Sequence, residues 1–314
     1  MKLISAFFRL VRLPNLFFIV LTQSLFYYCI LMPVMAAAGE TRLHLYPLAF
    51  WLLVLSSVLI AAAGYIINDY FDLNIDQVNK PESIVVQKFI RRRSAIIWHM
   101  SFSIAGVLLA FYIGIKIGNW ILGFANLVCV LLLWVYSTTF KRKLLIGNII
   151  ISLLTAWVVL VLYFCELSVL QLRDPVYRHQ ITSVFKLAIL YGGYAFIISL
   201  IREVVKDIED REGDARYGCH TMPIVWGVDA SKGFIAIWLI ILIITIGLVI
   251  VYAVMKGWWI GSVYSILFIL FPLLNISRAL YKANEIKDYH KLSSQIKMVM
   301  LSGILSMIFF KWYL

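Results

Sequence analysis

Nine stretches of apolar residues, each long enough to cross a lipid bilayer, divide the 314-residue chain almost from end to end. A spanning helix needs about 20 mostly apolar residues, and within lipid it must satisfy its own backbone polar groups. The runs are Leu13–Ala38, Leu48–Tyr70, Ala95–Ile115, Trp120–Phe140, Leu145–Leu167, Val184–Arg202, Gly233–Met255, Trp258–Tyr281 and Ile296–Trp312. They predict an all-α fold, a multi-pass transmembrane bundle of nine helices, with 1–314 forming one domain. Only 14% of residues are charged, against roughly 25% in soluble domains, so each charge cluster carries information. Lys2, Arg9 and Arg12 precede the first run as in a signal peptide. That run is too long for one and eight more follow, so it reads as a retained helix.

The net charge of +12 does not point to nucleic acid, because the basic residues sit in short loops between apolar runs. They follow the bias that keeps Lys and Arg on the cytoplasmic side of a membrane. With nine spans, one face collects 21 of the 28 basic residues, including Lys80, Lys88, Arg91, Arg92 and Arg93. The other face keeps Arg42, Lys116, Arg173, Arg178, Lys186, Lys256 and Lys311. The expected location is the cell's inner membrane, with the N-terminus and two long loops, Leu73–Arg93 and Glu203–Lys232, in the cytoplasm. Cys29, Cys129, Cys165 and Cys219 make no C-x-x-C pair and read as buried small hydrophobes. His44, His99, His179, His220 and His290 show no ligand spacing.

Nine of the 16 acidic residues fall in two clusters. Asp69, Asp72 and Asp76 stand at i, i+3 and i+7, and Asp207, Asp210 and Asp214 repeat that spacing. On a helix each set forms one stripe of carboxylates. Like charges so placed repel, and at the end of a membrane span they are expensive. Two copies of an unfavourable arrangement call for a cation. Carboxylates without His or Cys select a hard ion, and Mg²⁺ typically takes one or two carboxylates together with phosphate oxygens of a substrate. Two stripes facing each other across a bundle would hold Mg²⁺ with a diphosphate between them. Solvated helix caps are the plain alternative, and identical spacing in two places argues against it.

Arg202 and Lys206 lie beside Asp207 at i, i+4 and could grip diphosphate oxygens. They could equally pair with Glu203 and Asp210. Tyr136 and Lys141 end the fourth span on the same face; interfacial anchoring is their other reading. Arg91–Arg93 read first as a topology signal that meets anionic headgroups.

The stretch Asn68-Asp69-Tyr70-Phe71-Asp72-Leu73-Asn74-Ile75-Asp76, followed by Asp207-Ile208-Glu209-Asp210-Arg211-Glu212-Gly213-Asp214, resembles the paired signature of the UbiA superfamily of intramembrane prenyltransferases. The likeness extends to Tyr136-Ser137 with Lys141-Arg142, and to Gly147-Asn148. It implies a helical bundle around a central cavity open to lipid, with Mg²⁺ held by Asp69, Asp72, Asp76, Asp207, Asp210 and Asp214. Asn68, Tyr136, Lys141, Arg202 and Lys206 are the implied diphosphate residues. Tyr217-Gly218 and Thr221-Met222-Pro223-Ile224 resemble the branch that moves a geranylgeranyl group onto geranylgeranylglyceryl phosphate in ether-lipid synthesis. After Asn79-Lys80-Pro81 the family's Arg-Pro pair and small-residue turn are replaced by Glu82-Ser83-Ile84-Val85-Val86-Gln87.

The resemblance implies a prenyl diphosphate and a lipid acceptor as partners, in contact with membrane lipids and without nucleic acid. An aromatic acceptor, such as hydroxybenzoate or homogentisate, is the second reading. A cation transporter is the reading from another class. Against it, the acids gather at span ends instead of laddering through the bilayer.

Overall fold

The computed structural model describes residues 2–37, 43, 45–82, 84–166 and 175–313, and the side chains of 2–3 and 175–178, Lys2 among them, are outside that description. The readings made at Ala38, Arg42, His44, Ser83, Leu167 and Arg173, and for the Arg178 side chain, therefore lie outside the described residues. Among the described residues nine helices are long and apolar enough to span a membrane. They are α2 (Leu13–Ala36), α3 (Pro47–Phe71), α5 (Arg92–Lys116), α6 (Ile121–Thr138), α7 (Ile146–Glu166), α8 (Pro175–Glu209), α11 (Val228–Met255), α12 (Trp259–Lys282) and α13 (Ile286–Tyr313). Among the described residues there are also four short α-helices: α1 (Lys2–Leu10), α4 (Leu73–Asn79), α9 (Arg211–Arg216) and α10 (Met222–Val225).

Two spans begin well before the expected point. Helix α8 also continues seven residues past Arg202, and its 35 residues reach about 52 Å at 1.5 Å per residue, well beyond the ~30 Å hydrocarbon core. The charges read as its end line a polar cavity, so they extend the helix out of the lipid instead of stopping it. Helix α13 starts at Ile286 instead of Ile296 because a capping box sets its first turn. There Asp288 accepts hydrogen bonds from the backbone N–H of Asn284 and of Glu285, each at 3.0 Å, which satisfies donors left open at a helix start.

Small and polar residues lace the spans together. The Ser56 hydroxyl donates to the Gly106 carbonyl at 2.7 Å, joining α3 to α5. Gln23 Nε2 donates to Ser57 Oγ at 3.0 Å and to the Val158 carbonyl at 3.2 Å, tying α2 to α3 and α7. Two wide turns, Tyr27–Leu31 and Ile266–Leu270, precede Pro33 and Pro272, where a proline removes a backbone donor from the helix ladder. One apolar cluster joins α2, α3 and α7, with the Tyr27 and Phe50 rings stacked at 4.1 Å. A second joins α8, α11, α12 and α13 through Ile201, Leu239, Leu273 and Ile296. The central cavity runs between these halves.

Candidate active site

Both acidic motifs are helices broken at the middle aspartate. Helix α3 ends at Asp72 (φ −85°, ψ −2°) and α4 restarts beyond it. Helix α8 ends at Glu209, Asp210 sits at φ −91°, ψ 4°, and α9 follows. The expectation of one continuous stripe is corrected in the same way twice. The i→i+4 backbone bonds on the two sides meet at that aspartate without crossing it. Asp72 N–H donates to Asn68 and Asp76 N–H to Asp72; Asp210 N–H donates to Lys206 and Asp214 N–H to Asp210. The three carboxylates of each motif nevertheless line the same cavity, the third carried there by the short helix.

The two short helices are joined directly. Asn79 Nδ2 donates to the Asp210 carbonyl at 3.0 Å, and the Gly213 N–H donates to Asn79 Oδ1 at 2.9 Å. A Cβ on Gly213 would lie 2.3 Å from Asn79 Oδ1, so any side chain there would push the Asn79 amide out of this crossing. Gly213→Ala is expected to lower stability by roughly 1–3 kcal/mol through overpacking and to reduce turnover by parting the motifs. Thermal unfolding and a transfer assay on the same preparation check both effects.

All six aspartates line one cavity of about 1280 Å³, as do Asn68, Tyr136, Lys141, Arg202 and Lys206. The cavity thus brings together every predicted site residue. Within it each aspartate has its own setting. Asp69 Oδ1 accepts from Arg12 Nη2 at 2.8 Å. Asp72 accepts from Asn68 Nδ2 at 2.7 Å and is ion-paired to Lys141. Asp207 accepts from Asn148 Nδ2 at 2.8 Å, and Asp210 pairs with Lys80 at 2.7 Å. Asp76 and Asp214, the third of each motif, have no side-chain hydrogen bond or ion pair among the described residues.

Burial raises the Asp76 carboxyl to about 7, with further push from Asp72 and Asp69 on its own motif and from Asp210 across the mouth. Burial likewise raises Asp214 to about 7, aided by Asp210 and by Asp72 opposite. Each motif thus feels the other's charge. Arg12 is partly buried, which opposes its charge, but Asp69 outweighs that and holds the guanidinium above its ordinary value. Burial opposes the Lys80 charge too, and Asp210 reverses the balance.

The site fits a hard divalent ion. Among the described residues no three carboxylate, His or Cys groups close into a shell of their own; the carboxylates line facing walls instead. That suits Mg²⁺, which keeps waters and shares its shell with substrate phosphates. Asn68 Oδ1 is buried without a hydrogen-bond partner, an oxygen acceptor that a cation or its bound water would satisfy. An ion that binds the carboxylate form must displace protons from Asp76 and Asp214 below their pKa. The apparent Mg²⁺ affinity is therefore expected to rise steeply from pH 6 towards 8 and to level off above it. Half-saturating Mg²⁺ measured across that range checks the slope, and a flat profile would contradict it.

Several functional neighbours were not legible as such. Arg12 counted only as a topology signal. Its backbone turns through the left-handed region (φ 51°), sparsely used by residues with side chains, and so brings its guanidinium to Asp69. Lys80, Glu203, Asn79 and Lys297 also line the cavity. Arg202 pairs with Glu203 at 3.1 Å, one half of its local alternative, whereas Asp210 takes Lys80 in place of Lys206. Arg91, Arg92 and Arg93 are exposed, and Arg92 rests over the Tyr70 ring at 4.7 Å. The end of the atypical segment enters a tight turn over residues 85–90, with Phe89 N–H donating to the Val85 carbonyl at 2.9 Å. Val85 and Val86 are buried there and also edge the cavity.

Comparison with known proteins agrees with this architecture. A digeranylgeranylglyceryl phosphate synthase from Methanosphaera stadtmanae is 29% identical over 246 residues, 78% of this chain and 81% of that one. A solved structure concerned with digeranylgeranylglyceryl phosphate synthase in membranes superposes with a TM-score of 0.62, at 23% identity, covering 98% of this chain and 99% of that one. A UbiA homologue from Archaeoglobus fulgidus, solved bound to DMAPP and Mg²⁺, superposes with a TM-score of 0.55 at 15% identity, covering 96% and 98%. These two solved structures share the fold. The UbiA prenyltransferase family matches residues 25–301, and with nine spans around a cavity headed by two aspartate motifs, the chain belongs to that family of membrane prenyltransferases.

Proposed function

We propose that this prenyltransferase moves a geranylgeranyl group from geranylgeranyl diphosphate to the hydroxyl of geranylgeranylglyceryl phosphate, making a diether lipid. The observation that carries the reading is the pairing of a polar, two-motif mouth with a long apolar cavity behind it. Leu133, Cys129, Leu154, Trp157, Met300 and Met307 line that interior, which suits a hydrocarbon tail.

Asp69, Asp72, Asp76, Asp207, Asp210 and Asp214 would hold Mg²⁺, which when bound neutralises the diphosphate as a Lewis acid and makes it a competent leaving group. Lys141, drawn in by Asp72, presents its ammonium to the departing oxygens. Tyr136 stands among Glu203, Asp72 and Asp207 and can donate its hydroxyl to the same oxygens. Asn68 fixes Asp72, and Asn148 fixes Asp207, so that the carboxylates are oriented before substrate arrives. Lys206 extends the cationic wall. As the C1–O bond breaks, the apolar interior shields the allylic cation from water. The acceptor oxygen attacks C1, and its proton passes to a carboxylate or to the diphosphate. The Lys and Arg bias supports placing this mouth on the cytoplasmic side.

The test is an assay of the purified chain with Mg²⁺, geranylgeranyl diphosphate and a panel of acceptors, read by mass spectrometry. Geranylgeranylglyceryl phosphate is expected to gain one geranylgeranyl group, with diphosphate released in equal amount. Transfer to hydroxybenzoate or naphthoate instead would replace the lipid acceptor by an aromatic one.

A further inference from the structure

We infer that Lys297 of α13, Asn15 of α2 and Arg202 of α8 form a second anion subsite, which seats the phosphate monoester of a lipid acceptor. The inference rests on the reading that the acceptor is a phosphate-bearing lipid. Lys297 Nζ donates to Asn15 Oδ1 at 2.8 Å and stands over the Phe18 ring at 5.5 Å. Its charged neighbours are Arg202, Lys206 and Arg12, all cations. Glu203 and Asp69 answer Arg202 and Arg12, which leaves Lys297 and Lys206 without an ion pair among the described residues, two like charges that an added anion would stabilise. Arg202 spends one side of its guanidinium on Glu203, while its Nε is buried with no partner. That leaves one guanidinium donor unspent beside the anion this subsite would seat.

The residues below the cluster point to an amphiphile. On α13 the cavity is lined by Lys297, then Met300, Ile304 and Met307, at i, i+3, i+7 and i+10 on one helix face. On α2 it is lined by Asn15, then Phe18 and Ile19. Both helices thus present a polar head group at the mouth and an apolar track running inward. A phosphate with a prenyl ether tail has the same order of chemistry. Helix α13 brings no carboxylate to the cavity, so this track lies apart from the aspartates assigned to the donor diphosphate.

The experiment measures KM for donor and acceptor separately with wild type, Lys297→Gln and Lys297→Arg. In Lys297→Gln the KM for geranylgeranylglyceryl phosphate is expected to rise about tenfold or more, the loss of a charge-assisted hydrogen bond. The KM for geranylgeranyl diphosphate should stay within about twofold by the same reasoning, which also reports an intact fold. Lys297→Arg should recover most of the acceptor affinity. Geranylgeranylglycerol, which lacks the phosphate, should be used no better by wild type than by Lys297→Gln. An unchanged acceptor KM, or an equal rise in both KM values, would overturn the subsite while leaving the proposed reaction standing. Thermal stabilisation by geranylgeranylglyceryl phosphate without donor separates the remaining case. Lys297-dependent stabilisation without transfer would sink the reaction and keep the subsite; no stabilisation and no transfer would sink both.

Discussion

Asp69→Ala and Asp207→Ala should each cut prenyl transfer about a thousandfold or more, because the charge neutralisation they support is worth several kcal/mol and each 1.36 kcal/mol is a factor of ten. The two residues come from different motifs and are held by different partners, Arg12 and Asn148. Equal losses at both would mean that neither motif suffices alone. The Asp69 change also strands Arg12, a partly buried cation that then lacks its carboxylate, so some loss of stability is expected with it. Asp69→Ala/Arg12→Gln separates the two effects: it should regain stability and remain inactive. Protein that inserts normally and turns over near the wild-type rate in either single variant would refute the metal assignment.

Lys141→Met is expected to lower kcat by roughly a hundredfold to a thousandfold, the scale for removing one preorganised charge-stabilising donor. Lys141 lies just after α6, in the short turn Phe140–Arg142, and its side chain is only 9% exposed. The turn sits against Gly147, where a Cβ would come within 2.9 Å of Lys141 Cα and of the Phe140 carbonyl. A lysine pinned this closely has little freedom to be replaced by a wider group. Lys141→Arg should therefore restore only part of the rate, because the guanidinium fork needs more room than an ammonium. Single-turnover rates with saturating donor distinguish this from weaker binding. Full activity in Lys141→Met would remove it from the reaction.

The spans and the six aspartates were legible because each rests on a repeated local pattern: apolar length for the helices, and i, i+3, i+7 spacing for the acids. The cavity's other polar residues carried no such pattern. Asn79 and Gly213 are 134 residues apart, and nothing near either announces the contact. Arg12 and Lys80 looked like ordinary loop charges, since a topology signal and a carboxylate clamp use the same residue type. Hydropathy also misplaced the end of α8. A charge that faces a polar cavity and one that faces bulk water lower the local apolarity alike, so Arg202 read as a boundary when it was the rim of the site. The break at Asp72 and at Asp210 was hidden for another reason. The helix resumes at once beyond it, with the Asp76 N–H bonded to Asp72 and the Asp214 N–H to Asp210, so a continuous helix and a broken one carry the same spacing in the sequence.

The central claim is that the two motifs share divalent ions at the cavity mouth. The direct measurement is anomalous scattering from Mn²⁺ in crystals grown with a non-cleavable thiolo analogue of the prenyl diphosphate. Density for the ions between Asp69–Asp76 and Asp207–Asp214, touching both the carboxylates and the diphosphate, is the predicted result. Ions bound to one motif alone, or a diphosphate seated away from both, would contradict it.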